Sequence, residues 1–398
     1  MRGSNNKIAT ILRHAWSVMS EEFRGVFSDG GALLLVGFAT MIYTVIYSTA
    51  YGGEVVRDIP IAVVDEDHSS ASRSLIQGLD DGPDTLVAYE AENMSVARDL
   101  FHNDEVFAIV NIPNNYEADL LANRATNVGL ILDGSHLLLY NHVLEQAVSD
   151  ILTTGAMVEA GRIIANSGSD IEAEAIVSPV TMNTEMLFNP YLGYGAFVMP
   201  SILIVIIQQS MLIGIALVAL YIAKRRREQM ICNPIITVIS KILVYIVVYG
   251  VSLIIILGIV WPIFDLPYFA NTLDVVLLLL IYTTAVSALG LTLSHLFRRR
   301  EAPIMLLLWS SIPILLLAGI SYPREAFPEW MYAFGRILPS SSGVDAFIKL
   351  CTMGATLSDI RAEIITLAAL AILYTTSAII FENRMWRSKR SAVSNKHK

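Results

Sequence analysis

Apolar residues form six long blocks along the chain, separated by shorter polar stretches and by one long polar segment. Each block is close to the roughly 20 residues that a helix needs to cross the hydrocarbon core of a bilayer. The pattern predicts an α-helical polytopic membrane protein with six transmembrane helices. We expect them at residues 30–51, 196–223, 235–261, 275–297, 302–320 and 364–381.

An amphipathic stretch precedes the first block. Apolar side chains such as Leu12, Trp16 and Phe23 recur at the spacing of one helical face, and charged side chains take the other faces. We expect residues 5–28 to form a helix that lies along the membrane surface, within an interfacial cytoplasmic segment at 1–29. The alternative is a lead-in that only anchors the chain.

The fifth block continues into a proline-rich stretch that remains apolar. Pro323, Pro328 and Pro339 each remove a backbone donor and resist continuation of a helix. The residues between them are too aromatic and aliphatic for an ordinary aqueous loop. We expect a re-entrant outer hairpin at about 321–350, which must be buried in protein or line a water-filled cavity. An interfacial loop with an aromatic belt is the alternative.

The long polar segment, 52–195, alternates between the periodicities of strands and helices. This alternation predicts an inserted α/β domain with a partly parallel sheet. We expect strands at 60–67, 85–91, 106–113 and 127–134, and helices at 69–79, 95–102, 114–123 and 136–165.

Acidic side chains gather at the ends of the expected strands, where α/β folds often bind ligands. A cation site is one interpretation. Turn and helix capping is the other, and we favour it because no fixed metal-ligand spacing is present, so no metal site is predicted. The residues concerned are Asp65, Glu66, Asp67, Asp133 and His136.

The composition agrees with a membrane location. The chain of 398 residues is 54% hydrophobic and 16% charged, with a mean hydropathy of +0.57, whereas soluble domains carry about 25% charged residues. Its two cysteines, Cys232 and Cys351, are too few and too far apart for a disulfide framework.

Basic residues indicate the orientation. Residues 1–29, 224–241, 298–301 and 382–398 hold 18 of the 27 Lys and Arg residues but only 6 of the 36 acids. The positive-inside bias makes these stretches cytoplasmic, including both termini and a basic tail at 382–398. The segment 52–195 then lies outside with a net charge of −18. We expect this charge to keep an exported domain soluble; attraction of cationic ligands is the alternative.

Sequence motifs for catalysis are absent. The chain contains no G-x-x-x-x-G-K-[ST] phosphate loop, no H-E-x-x-H and no G-x-S-x-G. We therefore expect no catalytic residues and no cofactor bound by this chain. Carboxylates are scarce within the apolar blocks, which argues against a proton- or ion-driven transporter.

Uncharged polar side chains do occur within the blocks. Gln208 and Gln209 lie in the second block, and Ser310 and Ser311 lie in the fifth. An unpaired amide is costly in hydrocarbon, so these groups should face another helix or a wet cavity. Interhelical bonding without any transport path is the alternative.

The whole layout resembles the permease subunit of ABC-2 type exporters that carry a large extracytoplasmic domain between the first two spans. Three stretches of the insert are similar to the recurrent pattern of that branch, namely VVDEDHSSASRSLIQGL, RDLFHNDEVFAIVNIPNNYEADL and VGLILDGSH. The outer hairpin is a second match, through Gly319, Pro323, Phe327, Pro328, Trp330 and Pro339. The third match is cytoplasmic and consists of Arg227, Glu228, Pro234 and Lys241. This last segment is shorter than in the family and lacks the usual Gly-Thr after the acidic residue.

The resemblance implies a half-transporter of a bacterial inner membrane that exports a hydrophobic or amphiphilic substrate, such as a drug or a lipid. Two permease chains, identical or paralogous, would enclose the path, and a separate ATPase subunit would bind ATP and Mg. The hairpin residues named above would form the outer gate. The path would be lined by Gln208, Gln209, Trp309, Ser310 and Ser311. The ATPase would be contacted by Arg225, Arg227, Glu228, Met230, Pro234 and Lys241.

Further partners follow from the same resemblance. In double-membrane bacteria, such relatives often work with a periplasmic adaptor and an outer-membrane channel; no nucleic acid is expected. The same layout also resembles phage receptors and secretion-apparatus scaffolds, which need no ATPase. A co-purifying ATP-binding protein would distinguish these hypotheses. An outer-facing enzyme is a third hypothesis, which rests on the strand-end acids alone.

The charge bias makes a prediction about Cys232, which should be cytoplasmic, while Cys351 should lie at or near the outer face. In cells stripped of their outer membrane, a membrane-impermeant thiol reagent should spare Cys232, as mass spectrometry would measure. Permeabilised cells are the control, because Cys232 should react in them. Labelling of Cys232 in the intact cells would contradict the six-span arrangement.

Overall fold

The chain divides into two compact units, which are described separately. The structure, a computed structural model, describes residues 2–52, 56–122, 124–167, 187–189, 193–225 and 233–396. One unit comprises Met1–Glu54 and Met186–Lys398 and contains the predicted spans, whereas the other unit is the insert, Val55–Glu185.

We call the unit that contains the predicted spans the membrane unit. It begins with two helices: α1 (Arg2–Ser28) is the expected amphipathic helix, and α2 (Gly30–Ala50) is the first predicted span. Asp29 separates them because its backbone is extended. Its side chain accepts the N–H groups of Gly31 and Ala32, two of the donors that the start of a helix leaves unpaired. Asp29 therefore ends one helix and caps the next.

The described residues of the insert form four strands and four helices, in the order β1 (Ile59–Asp65), α3 (Ser70–Asp81), β2 (Thr85–Glu90), α4 (Met94–His102), β3 (Ala108–Ile112), α5 (Tyr116–Leu121), β4 (Gly129–Leu132) and α6 (Leu137–Ser167). The sheet order is β2-β1-β3-β4. Strand β1 is parallel to β2 and β3, whereas β4 is antiparallel to β3. The predicted strands and the partly parallel sheet are therefore confirmed.

Both faces of this sheet are covered. Ile61 and Val63 of β1 join a core that includes side chains of α3 and α6, and Ala62 and Val64 join a second core with α4. Successive residues of a strand point to opposite faces, so both sets are buried. This arrangement explains why β1 is a continuous apolar run rather than an alternating one.

The membrane unit continues after the insert with α7 (Tyr194–Arg225), α8 (Pro234–Ile263), α9 (Thr272–Ser294), α10 (Glu301–Trp309), α11 (Ser311–Leu317), α12 (Glu329–Gly335), α13 (Pro339–Cys351) and α14 (Arg361–Lys396). Five helices of the described residues are long and apolar enough to cross a membrane: α2, α7, α8, α9 and the Arg361–Arg387 part of α14. They correspond to the predicted blocks one to four and six. Helix α14 also continues into the predicted basic tail.

The predicted fifth span, 302–320, is not a single helix. Pro313 has no N–H to donate to the Trp309 carbonyl, and its ring crowds that carbonyl, so α10 ends at Trp309. The short helices α10 and α11 together cover only Glu301–Leu317. A sixth crossing therefore stays a proposal.

Helix α7 lies at the centre of the membrane unit. It packs against α1, α2, α9, α10, α11 and α13, and most of its side chains are buried. A helix that is apolar on every face belongs in such an interior. The few polar side chains of α7 must consequently find their partners on the surrounding helices.

The predicted hairpin, about 321–350, has one exposed and one buried arm. Its first arm contains a short 3-10 turn at Arg324–Ala326 and α12, on which Trp330 is 73% exposed. Its second arm is α13, which is largely buried and packs against α7, α9 and α14. Cys351 ends α13 and is fully buried.

We expect the insert to fold by itself, because its own elements build both cores. A fragment of residues 55–190 should unfold in one cooperative transition. Leu75→Ala removes a fully buried side chain and should lower the free energy of unfolding by about 2–5 kcal/mol. The control Leu121→Ala, at an exposed position, should change it by less than about 0.5 kcal/mol. Denaturant titrations followed by circular dichroism measure both, and equal losses would contradict the assigned core.

Candidate functional site

Three consecutive polar residues of α7 bind four neighbouring helices. Successive side chains of a helix point about 100° apart, so Gln208, Gln209 and Ser210 cannot share one partner helix. Gln208 bonds to α13 and Gln209 to α10. The Ser210 hydroxyl lies 2.9 Å from the Tyr249 hydroxyl of α8 and 3.2 Å from the Thr40 hydroxyl of α2. One turn of α7 therefore connects four helices of the unit.

Gln208 caps a helix from outside that helix. Helix α13 begins with Pro339, and Leu338 at its N-cap offers no side-chain acceptor. The N–H of Ser340 would therefore be unpaired, and it donates instead to Gln208 Oε1 at 2.8 Å. Both residues are fully buried. Helices α7 and α13 are thus joined by a hydrogen bond in the interior.

Close packing accompanies this bond. A Cβ atom on Gly343 of α13 would lie 2.8 Å from the Tyr282 ring of α9 and 3.1 Å from Ile204 of α7. Such distances leave no room for a side chain, so glycine is required for α13 to lie this close to both helices. The Tyr282 hydroxyl also donates to the Ile204 carbonyl at 2.6 Å.

Gln209 faces the broken pair of helices α10 and α11. Its Nε2 donates to the Leu307 carbonyl at 3.4 Å. The break frees carbonyls, and two predicted path residues bond to them: Ser310 Oγ donates to Leu307, and Ser311 Oγ donates to Leu308. These two serines therefore have a structural role at the break.

Polar atoms of these residues remain without a protein partner in the described part of the chain: Gln208 Nε2, Gln209 Oε1 and Ser340 Oγ. The amide orientations follow from their backbone partners. A backbone N–H only donates, so it must face Gln208 Oε1, and a carbonyl only accepts, so it must face Gln209 Nε2. A buried unpaired polar group costs about 1–3 kcal/mol. Gln208 thus leaves one donor, Gln209 one acceptor and Ser340 one hydroxyl without a protein partner.

Trp309, the remaining predicted path residue, is 84% exposed and does not meet the two amides. It belongs to an apolar surface of α10 and α11 that also exposes Met305, Leu308 and Ile312. Inside a bilayer this surface contacts lipid or another chain.

Arg324, which the sequence analysis did not identify as a site residue, lies beside the predicted gate residues Gly319 and Pro323. Arg324 donates to the Ser341 carbonyl and forms an ion pair with Asp345 of α13. Gly319 has φ +84, and a Cβ atom there would lie 2.6 Å from Arg324 Cγ. Phe327 stacks on Tyr322 with ring centroids 5.9 Å apart.

Each proline of the predicted gate stands at the start of a helical segment. Pro323 and Pro328 precede the 3-10 turn and α12, and Pro339 occupies the first turn of α13, where its missing N–H is harmless. Trp330 points away from the unit and is exposed.

A second ion pair ties the hairpin to the last span. Lys349 of α13 donates to Glu363 at the start of α14 at 2.6 Å. Asp345 and Lys349 are four residues apart on one helix face, which was the only sequence signal for this group of charges. Arg324, Asp345, Lys349 and Glu363 form what we call the hairpin charge cluster.

At the opposite end of the unit, the predicted ATPase contacts are only partly described. Arg227, Glu228 and Met230 lie outside the described residues. Arg225 is exposed, with its guanidinium 5.2 Å from the centre of the Tyr221 ring. Pro234 begins α8, whose first turn is capped by Asn233.

Lys241 is largely buried in a joint between α1 and α8. Its Nζ lies 3.6 Å from the buried Glu22 carboxylate, which also accepts the Tyr245 hydroxyl at 2.8 Å. Two further acids of the basic segments have basic partners: Asp29 forms an ion pair with Arg300, and the Glu382 carboxylate lies 3.2 Å from His295 Nε2. These three acids, which lie in otherwise basic segments, hold the helices together at this end of the unit.

The strand-end acids of the insert act as caps, as favoured by the sequence. Asp65 Oδ1 accepts the N–H groups of Asp67 and His68. Glu117 binds the start of α3 through the Ala71 N–H and the Ser70 hydroxyl. The described residues contain no group of three or more potential metal ligands.

Hydrogen bonds of this kind lower the pKa of two acids of the insert. The Ser135 hydroxyl, followed by His136, lowers the pKa of Asp133 to about 2. The Ser69 hydroxyl and the Glu117 N–H lower the pKa of Asp67. Both carboxylates are therefore stabilised as anions by the turns that they cap.

Comparison with known proteins identifies similar sequences over nearly the full length. The family model described as "ABC-2 family transporter protein" matches residues 31–380. The inner membrane transport permease YhhJ of Escherichia coli K12 is 23% identical over 388 residues, covering 93% of this chain and 96% of that protein. The probable multidrug ABC transporter permease YbhR of Escherichia coli K12 is 22% identical over 334 residues, covering 81% and 85%.

The capping bond makes a prediction about α7. Gln208→Leu removes the acceptor of the buried Ser340 N–H and should lower stability by about 1–3 kcal/mol. Gln209→Leu is the matched control, because it removes only a long contact together with an unpaired oxygen, and should change stability by less than about 1 kcal/mol. Unfolding of the purified proteins in detergent measures both. Equal losses in the two variants would contradict the capping role.

Proposed function

Because the chain belongs to the ABC-2 transporter family, we propose that it is the membrane permease of an ATP-driven exporter. The family match from residue 31 to residue 380 carries this proposal, since it includes the spans, the insert and the hairpin. The sequence has no phosphate loop of its own, so the energy has to come from an ATP-binding cassette subunit. That subunit would also bind the Mg.

The proposed topology follows the charge bias. Both termini and the segment between α7 and α8 lie in the cytoplasm of a bacterial cell, and the insert lies outside the inner membrane. Helices α10 and α11 make the fifth crossing as a broken span. Non-helical backbone at membrane depth is tolerated when it is covered by protein, and here side chains bond to the carbonyls that the break frees.

The proposed path runs along α7 and α10, with Gln208 and Gln209 as its polar lining. A second copy or a paralogue would close it on the side where α10 exposes Trp309, and Ser310 and Ser311 would hold α10 and α11 in shape. A hydrophobic or amphiphilic substrate fits this surface, and the relative YbhR carries the description of a probable multidrug permease. Helix α13 and the turn before it would be the outer gate. A periplasmic adaptor and an outer-membrane channel would meet the insert.

The proposed ATPase contact is the segment from Arg225 to Pro234, with Arg227, Glu228 and Met230 between them. Lys241 supports this contact indirectly, because its ion pair with Glu22 holds α1 against α8. An ATPase bound to the segment can thereby move α1 and α8 together.

The proposal is tested by measuring whether ATP hydrolysis by a partner subunit depends on this chain and on its substrate. The chain should co-purify with an ATPase, and reconstituted complexes should show ATP hydrolysis that substrate stimulates. Glu228→Arg should cut the stimulated part about tenfold or more, because reversing a docked charge costs several kcal/mol. Glu301→Arg, an exposed acid of the same membrane side, is the matched control and should leave coupling unchanged. Thermal stability of both variants shows whether folding is intact. A chain that never co-purifies with an ATPase would contradict the function, whereas equal coupling in both variants would only move the contact.

A further inference from the structure

A polar cleft of about 310 Å³ lies where α1 crosses the basic end of α7. The side chains that matter for its chemistry are Ser17, Ser20, Glu21, Arg24, Tyr221 and Arg225. We propose that this cleft binds the phosphate group of an anionic membrane phospholipid. The proposal does not depend on what the protein exports.

Glycine creates the cleft. A Cβ atom on Gly25 of α1 would lie 2.9 Å from Val218 and 3.3 Å from Ile222 of α7, so the two helices touch there. The opening between them is lined by Arg24 from α1 and by Arg225 from α7.

The charge of the cleft favours an anion. Neither Arg24 nor Arg225 forms an ion pair with a carboxylate among the described residues. Glu21 already has another partner. The Tyr221 ring lies under the Arg225 guanidinium and can hold it by a cation–π contact, which leaves the N–H groups free to donate. Two guanidinium groups and two serine hydroxyls supply the donors that a phosphate binds best.

The surroundings of the cleft favour a lipid over a soluble phosphate. Helix α1 exposes Trp16, Phe23 and Phe27. Aromatic side chains on an amphipathic helix belong at the level of the lipid headgroups, with their rings toward the acyl chains. A headgroup bound in the cleft would therefore extend its acyl chains along an apolar surface, and basic residues at the end of a span attract anionic lipids in particular.

The test uses the purified full-length chain in a neutral detergent. Short-chain phosphatidylglycerol is titrated while the thermal unfolding midpoint is recorded, with phosphatidylcholine of equal chain length and inorganic phosphate as parallel titrations. Wild-type protein should be stabilised by phosphatidylglycerol far more than by the other two. Arg24→Gln should raise the phosphatidylglycerol concentration needed for the same shift of the midpoint about tenfold or more, as expected when one charge-assisted hydrogen bond is lost. Arg13→Gln, an exposed arginine of α1 outside the cleft, is the matched control and should respond like the wild type.

Three results would overturn the proposal. An equal response of Arg24→Gln and wild type would exclude the cleft as the lipid site. An equal response to inorganic phosphate would identify a site for a free anion instead of a lipid. If Arg24→Gln instead prevents an ATPase from co-purifying with the chain, while its lipid response is unchanged, the cleft would be assigned to the ATPase.

Discussion

The hydrogen bond from the Ser340 N–H to the Gln208 side chain is the contact on which the position of α13 against α7 depends. It is fully buried, so water cannot replace it, and losing it exposes the unpaired start of a helix to an apolar interior. The bond places the start of α13 against α7, and the absence of a side chain at Gly343 lets α13 pack closely against α7 and α9. Arg324 then holds the turn before α13 by bonding to Ser341 and Asp345.

Buried carboxylates with basic partners perform the corresponding role at the basic end of the unit. Glu22, Asp29 and Glu382 are nearly inaccessible to solvent, and each is paired with a basic partner from a distant part of the chain. Removing one partner of such a pair is more damaging than the pair is stabilising, because a buried charge would remain. The helices at this end are therefore linked rigidly, whereas the unpaired amide atoms of Gln208 and Gln209 leave the middle of α7 less completely satisfied. This contrast agrees with the proposal that an ATPase acts on the basic end and that the gate at α13 opens.

Hydropathy alone predicted the five long helices, and the period of the polar segment predicted its strands and helices, because both depend on neighbouring residues only. The break in the fifth block was readable in principle from Pro313, but a count of apolar residues gives no weight to a missing N–H. The partner of Gln208 was not readable, since it lies 132 positions away and is a backbone group without any side-chain signal. For the same reason Lys241 was predicted as an ATPase contact, although its side chain pairs with Glu22 in the structure.

Hydrogen exchange at the Ser340 amide tests the central claim most directly. The complete complex would be compared without ATP and with ATP trapped on a hydrolysis-deficient ATPase, and exchange would be followed by mass spectrometry in peptides that cover residues 338–342. Amides of strand β1 in the insert give an internal reference. The proposed outer gate includes the start of α13, so opening of the gate should break the bond from the Ser340 N–H to Gln208. The Ser340 amide should therefore be protected without ATP and should exchange much faster in the trapped state, while β1 stays unchanged. Equal protection in both states would contradict the account, because the bond would then be a permanent part of the scaffold.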